Sequence, residues 1–228
     1  LSFAGVILAG AILLWLPFAS TREIRFVDAL FMSASAVCVT GLSVIDIGRD
    51  LTFGGQLVLL GLVQLGCLGL MTCGTFLLIV VGRRLSMSNE FSLMNAYGVE
   101  EVQGLRGLVF WIVGSMLFFE VLGAVVLWTR FAAGAPTLSA AFGDFHAWYL
   151  AVFYSVMAFC NAGFGLDPAS LVPFRTDSVI ILTMGALCVV GGIGFLVIYN
   201  LCTIKFWRRN LRTRGRLTLH TRIVLAVT

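Results

Sequence analysis

Charge is scarce in this chain. Only 11% of its 228 residues are charged, 60% are hydrophobic, and the mean hydropathy is +1.02. A soluble domain carries roughly 25% charged and 45–50% apolar residues, so the composition excludes one and predicts an all-α integral membrane protein. Histidine is almost missing: His146 and His220 have no partner at ligand spacing, and each reads as a loop residue rather than a metal ligand. HExxH, GxSxG and paired intramembrane aspartates are absent too, which argues against a membrane-embedded enzyme. CxxC is also lacking. The six cysteines (38, 67, 73, 160, 188, 202) sit in apolar segments or at turns and read as free thiols. No nucleic-acid partner and no covalently bound cofactor are expected; the partner that composition implies is the lipid bilayer.

What the chain has is long apolar runs. Leu1–Ala19, Phe53–Val81, Gly104–Phe131 and Asp177–Phe206 each meet the requirement of about 20 residues for a membrane span. The second and fourth exceed it, which predicts tilt, a kink or extension beyond the bilayer. Between them lie two shorter runs, Arg25–Leu42 and His146–Phe164, whose length fits a re-entrant half-helix better than a span.

These shorter runs repeat one another. Phe31-Met-Ser-Ala-Ser-Ala-Val-Cys-Val-Thr-Gly-Leu42 aligns without a gap on Phe153-Tyr-Ser-Val-Met-Ala-Phe-Cys-Asn-Ala-Gly-Phe164, matching at Phe31/Phe153, Ser33/Ser155, Ala36/Ala158, Cys38/Cys160 and Gly41/Gly163. The predicted fold is a tandem of span, re-entrant pore loop and span. Residues 1–82 form the first repeat, 83–103 a cytoplasmic linker, 104–206 the second repeat, and 207–228 a basic cytoplasmic loop with the start of a third. Non-helical backbone at membrane depth is tolerated only inside protein or beside a watery cavity. Glycines at 41 and 163 permit a positive φ that turns successive carbonyls toward a common axis. The surrounding side chains are mostly neutral, so the expected ion ligands are backbone oxygens. They suit a monovalent cation rather than calcium, which calls for carboxylates.

Basic residues set the orientation. If the loops after the second and fourth spans are cytoplasmic, Arg83, Arg84, Arg106, Lys205, Arg208, Arg209, Arg212, Arg214, Arg216 and Arg222 lie inside, and Arg22, Arg25, Arg49, Arg130 and Arg175 outside. The positive-inside rule favours that arrangement, with both loops facing out. It also gathers Asp28, Asp46, Asp50, Asp144, Asp167 and Asp177 on the outer face, an acidic mouth that would concentrate cations.

The stretch Asp28–Asp46, then Gly55-Gln56 and Gln64-Leu-Gly-Cys-Leu-Gly-Leu-Met-Thr72, resembles the Trk/Ktr/HKT superfamily of potassium transporters, and most of all the membrane subunit of bacterial Ktr systems. Ala158-Phe-Cys-Asn-Ala-Gly-Phe164 and Gly191-Gly-Ile-Gly-Phe195 are similar to that family's second pore domain. The resemblance implies transport of potassium down its electrochemical gradient, with sodium as the alternative or coupled ion. It assigns filter carbonyls to Cys38, Val39, Thr40 and Gly41, then Cys160, Asn161, Ala162 and Gly163. Family members carry four such units around one pore, so two further repeats of the same polypeptide are expected. A homodimer in the inner (plasma) membrane and a cytosolic nucleotide-binding regulatory subunit are expected as well. The chain starts at Leu1 rather than Met and stops inside an apolar run, which predicts a fragment.

Other residues carry two readings. Glu120 lies within the third span, where a carboxylate is a functional-site hypothesis by default; the competing reading is a structural partner bonded to Ser or Thr on a neighbouring helix. The glycines at 61, 66, 69, 185, 191, 192 and 194 read as close-packing helix contacts. Lys205–Arg222 reads as a topology signal for anionic lipid or, following the resemblance, as the dock of the regulatory subunit. Against a pore stands one other class, a non-catalytic assembly subunit whose loops merely pack.

Overall fold

A computed structural model describes residues 3–69, 102–133, 147–166, 172–195 and 197–198. Among these, every regular element is helical, apart from one isolated bridge between Ser20 and Leu51. In chain order they are α1 (Phe3–Trp15), α2 (Phe26–Val37), α3 (Ile47–Asp50), α4 (Phe53–Leu68), α5 (Val102–Ala133), α6 (Ala147–Phe159) and α7 (Ser178–Ile193), with a 3-10 turn at Val172–Phe174. Of the predicted linker 83–103, residues 83–101 lie outside the described residues, as do the basic segment from Lys205 and His146, His220, Cys73, Cys202, Asp144 and Asp167, whereas Val102 and Gln103 begin α5.

The helices fall into two like-built triads. In one, α1, α2 and α4 pack on each other; in the other, α5, α6 and α7 do the same; and α4 joins the triads by packing on α6. Local chemistry starts α4 and α7 alike. Thr52 Oγ1 accepts from the Gly55 N–H at 3.2 Å, and Asp177 Oδ1 accepts from Val179 N–H at 3.0 Å and Ile180 N–H at 3.3 Å, each satisfying first-turn donors that have no intrahelical partner. The core follows the two short helices: Met32, Ala36, Tyr154, Phe153 and Phe159 are almost fully buried. Around them the outer helices leave Phe118, Val121 and Leu182 exposed. Large apolar side chains left on the outside suit a lipid-facing bundle, while Gly10, Gly66, Gly123 and Gly191 let its helices approach closely.

Among the described residues, only Val109–Ala133, within α5, is both long and apolar enough to cross a bilayer. The first run yields the 13-residue helix α1, about 20 Å at 1.5 Å per residue. The long second and fourth runs do not continue as single helices. They stop at Leu68 and Ile193, where Gly69 (φ 72°) and Gly194 (φ 90°) adopt a backbone conformation that ends a right-handed helix. The packing reading of the inner-helix glycines therefore holds for some and fails for others. A Cβ on Gly66 would press into the carbonyl of Val37, and one on Gly191 into the carbonyl of Phe159, whereas no described residue lies within 4 Å of a Cβ on Gly61, Gly69, Gly185 or Gly194.

Ion pairs hold one end of the bundle together. Arg22 bonds Asp50, Arg25 grips Asp28 through two bonds (2.8 and 2.9 Å), Arg49 lies 3.6 Å from Asp46, and Arg130 at the end of α5 bonds Asp177 at the start of α7. Every described aspartate of the expected acidic mouth is thus paired with an arginine. Around these four, each carboxylate has a guanidinium partner, two of them (Arg25–Asp28 and Arg49–Asp46) only three residues apart in sequence.

Candidate functional site

Both short helices end in the same way. In the first, Cys38 N–H donates to Ala34 O (2.9 Å), Val39 N–H to Ala36 O (3.2 Å) and Thr40 N–H to Ser35 O (2.9 Å). In the second, Cys160 N–H donates to Val156 O (2.9 Å), Asn161 N–H to Ala158 O (3.1 Å) and Ala162 N–H to Met157 O (2.9 Å). This is a Schellman closure, which requires a left-handed residue just past the helix. Val39 (φ 55°) and Asn161 (φ 56°) fill that position, and Gly41 and Gly163 follow, both at φ 74°. The glycines behave as expected. The residues before them were not foreseen: Asn tolerates this region, which is a legible signal, but a β-branched Val there is an outlier that only alignment with Asn161 could suggest.

The eight residues predicted for the filter, Cys38 to Gly41 and Cys160 to Gly163, all fall on these two turns, and the turns meet. A Cβ on Gly41 would strike the carbonyl of Ala162 and stand 3.1 Å from the Cα of Gly163. On one side of the junction opens a cavity of about 450 Å³ bordered by Arg22, Gly41, Asp46, Asp50, Gly163 and Phe164. A smaller space of about 220 Å³ lies at Tyr154, Asn161, Gly163, Met184 and Cys188. Gly163 borders both.

Each turn is braced differently. The hydroxyls of Ser35 and Thr40 bond each other at 2.9 Å across the first. The second is tied to α7 by Asn161 Nδ2, which donates to Cys188 O at 3.2 Å. Between triads, the Tyr149 hydroxyl donates to Gln56 Oε1 at 2.7 Å, while Gln56 Nε2 donates to Ile47 O and Leu51 O. All three bonds are buried, where an unmade hydrogen bond is costly.

Glu120 has partners other than the Ser or Thr side chains expected of it. It is 5% exposed. Its Oε2 accepts from Gln64 Nε2 at 2.7 Å, and its Oε1 lies 3.8 Å from the Cys160 thiol. Cys160 therefore points back into the protein, whereas Cys38, its counterpart, is exposed. The four described cysteines are free thiols, and no cluster of His, Cys, Asp or Glu that could hold a metal occurs among the described residues.

The TrkH family, described as cation transport proteins, matches residues 3–227. The whole chain is 39% identical to a Ktr system potassium uptake protein B of Vibrio alginolyticus and 32% identical to one of Bacillus subtilis, covering 48% of each. It is 33% identical over 98% of its length to a potassium/sodium uptake protein, NtpJ, of Enterococcus hirae, of which it covers 47%. The chain spans about half the length of these curated relatives.

Proposed function

We propose that this chain, which belongs to the TrkH family of cation transport proteins, supplies two of the four carbonyl-lined repeats of a potassium pathway. One observation carries the reading. Two turns of identical backbone sense, Val39-Thr40-Gly41 and Asn161-Ala162-Gly163, abut at their glycines and border one cavity. Backbone oxygens of Cys38–Gly41 and Cys160–Gly163 would replace water around a potassium ion, with sodium the competing ion. Each turn also sits at a helix C-terminus, whose partial negative charge favours a cation.

On this reading two arcs of carbonyls are completed by two further repeats of the same polypeptide. The protein crosses the inner membrane several times with the 450 Å³ cavity facing outward, the orientation that the excess of basic residues in the other loops favours. A second copy of the chain and a cytosolic nucleotide-binding subunit are the further partners. The test is growth and potassium uptake in an uptake-deficient host expressing the complete protein. Gly41→Ser and Gly163→Ser are expected to abolish selective uptake. Unchanged uptake and selectivity in both would leave an assembly subunit with packed loops as the better account.

A further inference from the structure

The triads agree in detail where the outer helix meets the short helix, and one side chain departs from that agreement. Ser33 Oγ donates to the main-chain carbonyl of Ile7 at 2.7 Å, and Ser155 Oγ donates to that of Glu120 at 2.6 Å. Three residues on, Gly10 and Gly123 each press against the same hydroxyl, with Leu62 and Leu187 on the far side. Ile7 and Glu120 therefore occupy the same place in the two units. Ile7 demonstrates that the unit packs without a carboxylate there.

The carboxylate must then answer to something outside the shared packing. It reaches Gln64 on α4 of the first triad and Cys160 at the start of the second turn. Gln64, Glu120 and Cys160 thus link three elements through side chains alone. We propose that Glu120 is a positioning residue for the second filter turn: through Cys160 and Gln64 it fixes the carbonyls of residues 160–163 against the inner helix of the first repeat, and so sets ion selectivity. This rests on reading the turns as a cation filter. A filter discriminates between ions of similar charge by where its carbonyls stand, and a buried side-chain hydrogen bond holds a neighbour more firmly than an apolar contact.

The experiment compares potassium and sodium fluxes through the complete protein in proteoliposomes. Glu120→Ile installs the side chain that its counterpart already has, and protein yield and monodispersity check folding. The expected result is folded protein whose potassium-over-sodium selectivity falls about tenfold, the scale of one lost buried hydrogen bond. Glu120→Gln, which keeps shape and one acceptor, should recover part of the loss. Gln64→Leu should reproduce it, and the double variant should be no worse than the single ones, as for residues acting as a unit. Wild-type selectivity in folded Glu120→Ile overturns the proposal. If that variant does not fold, wild-type selectivity in both Glu120→Gln and Gln64→Leu overturns it. Gly163→Ser separates the two levels: selectivity lost there but kept in the Glu120 and Gln64 variants rejects only the positioning role, whereas selectivity kept in Gly163→Ser rejects the filter reading itself.

Discussion

Gly41 and Gly163 touch, but not symmetrically. A Cβ on Gly41 would drive into the carbonyl of Ala162, while a Cβ on Gly163 would meet only the Cα of Gly41, at an ordinary 3.6 Å. Both glycines have φ near +74°, so either alanine incurs roughly 1–2 kcal/mol of backbone strain. Only the first adds a collision with backbone that cannot swing away. Gly41→Ala is therefore expected to lose more uptake and more thermal stability than Gly163→Ala, measured as ion flux and melting temperature of the complete protein. Equal losses would mean that strain alone decides.

Asn161 and Val39 share a left-handed conformation, but only Asn161 uses its side chain to hold the turn, through Cys188 O. Replacing Asn161 with Val removes that bond and puts a branched Cβ where it is disfavoured. The combined cost should be about 1–3 kcal/mol. Asn161→Gly loses the bond without the strain and should fall between Val and wild type in a melting series. A ranking with Gly below Val would contradict the φ-based account.

Much of the architecture was written in local chemistry. The duplicated Ser, Ala, Cys and Gly positions located both turns, and long apolar runs located the outer and inner helices. The ends of α4 and α7 were not legible, because a glycine inside an apolar run looks the same whether it packs against a carbonyl, as Gly66 does, or turns the chain, as Gly69 does. The arginine partners of Asp50 and Asp177 were hidden for another reason. Arg22 and Asp50 are far apart in sequence, and only the closure of Ser20 against Leu51 brings them together. Glu120 announced itself as a buried carboxylate. Its equivalence to Ile7 did not, since α1 and α5 share a packing role without a recognisable shared sequence.

Asp177 does two jobs at the exposed end of α7, capping its first turn and accepting from Arg130. The Arg130 bond, followed by the backbone bonds from Ile180 and Val179, holds its carboxyl below the usual carboxylate range. A carboxyl with a lowered folded value stabilises above the ordinary unfolded value, and that contribution disappears as pH falls through the folded one. Wild-type protein should thus lose a small increment of stability on acidification below about pH 4. Asp177→Asn, which keeps an N-cap oxygen but no charge, should lack that increment at neutral pH. Melting curves of both from pH 7 downward should converge at the acid end; curves that stay parallel would assign the pair no role.

Gly66 and Gly191 hold the inner helices against the carbonyls that end α2 and α6, Val37 O and Phe159 O. An alanine at either position must push the inner helix away from the turn that the neighbouring helix carries. Gly61 and Gly185 lie in the same two helices with no described residue within 4 Å of a Cβ, so against these neighbours an alanine only exchanges a poor helix former for a good one. That exchange favours the helix by about 0.8–1.0 kcal/mol. The four alanine variants should accordingly split by position rather than by helix. Gly61→Ala and Gly185→Ala should melt at or above wild type and transport normally. Gly66→Ala and Gly191→Ala should melt lower, and their ion flux should fall, because the displaced helix is the one against which each turn is set. A loss of flux in the first pair, with the second pair intact, would reverse the assignment of which glycines hold the turns.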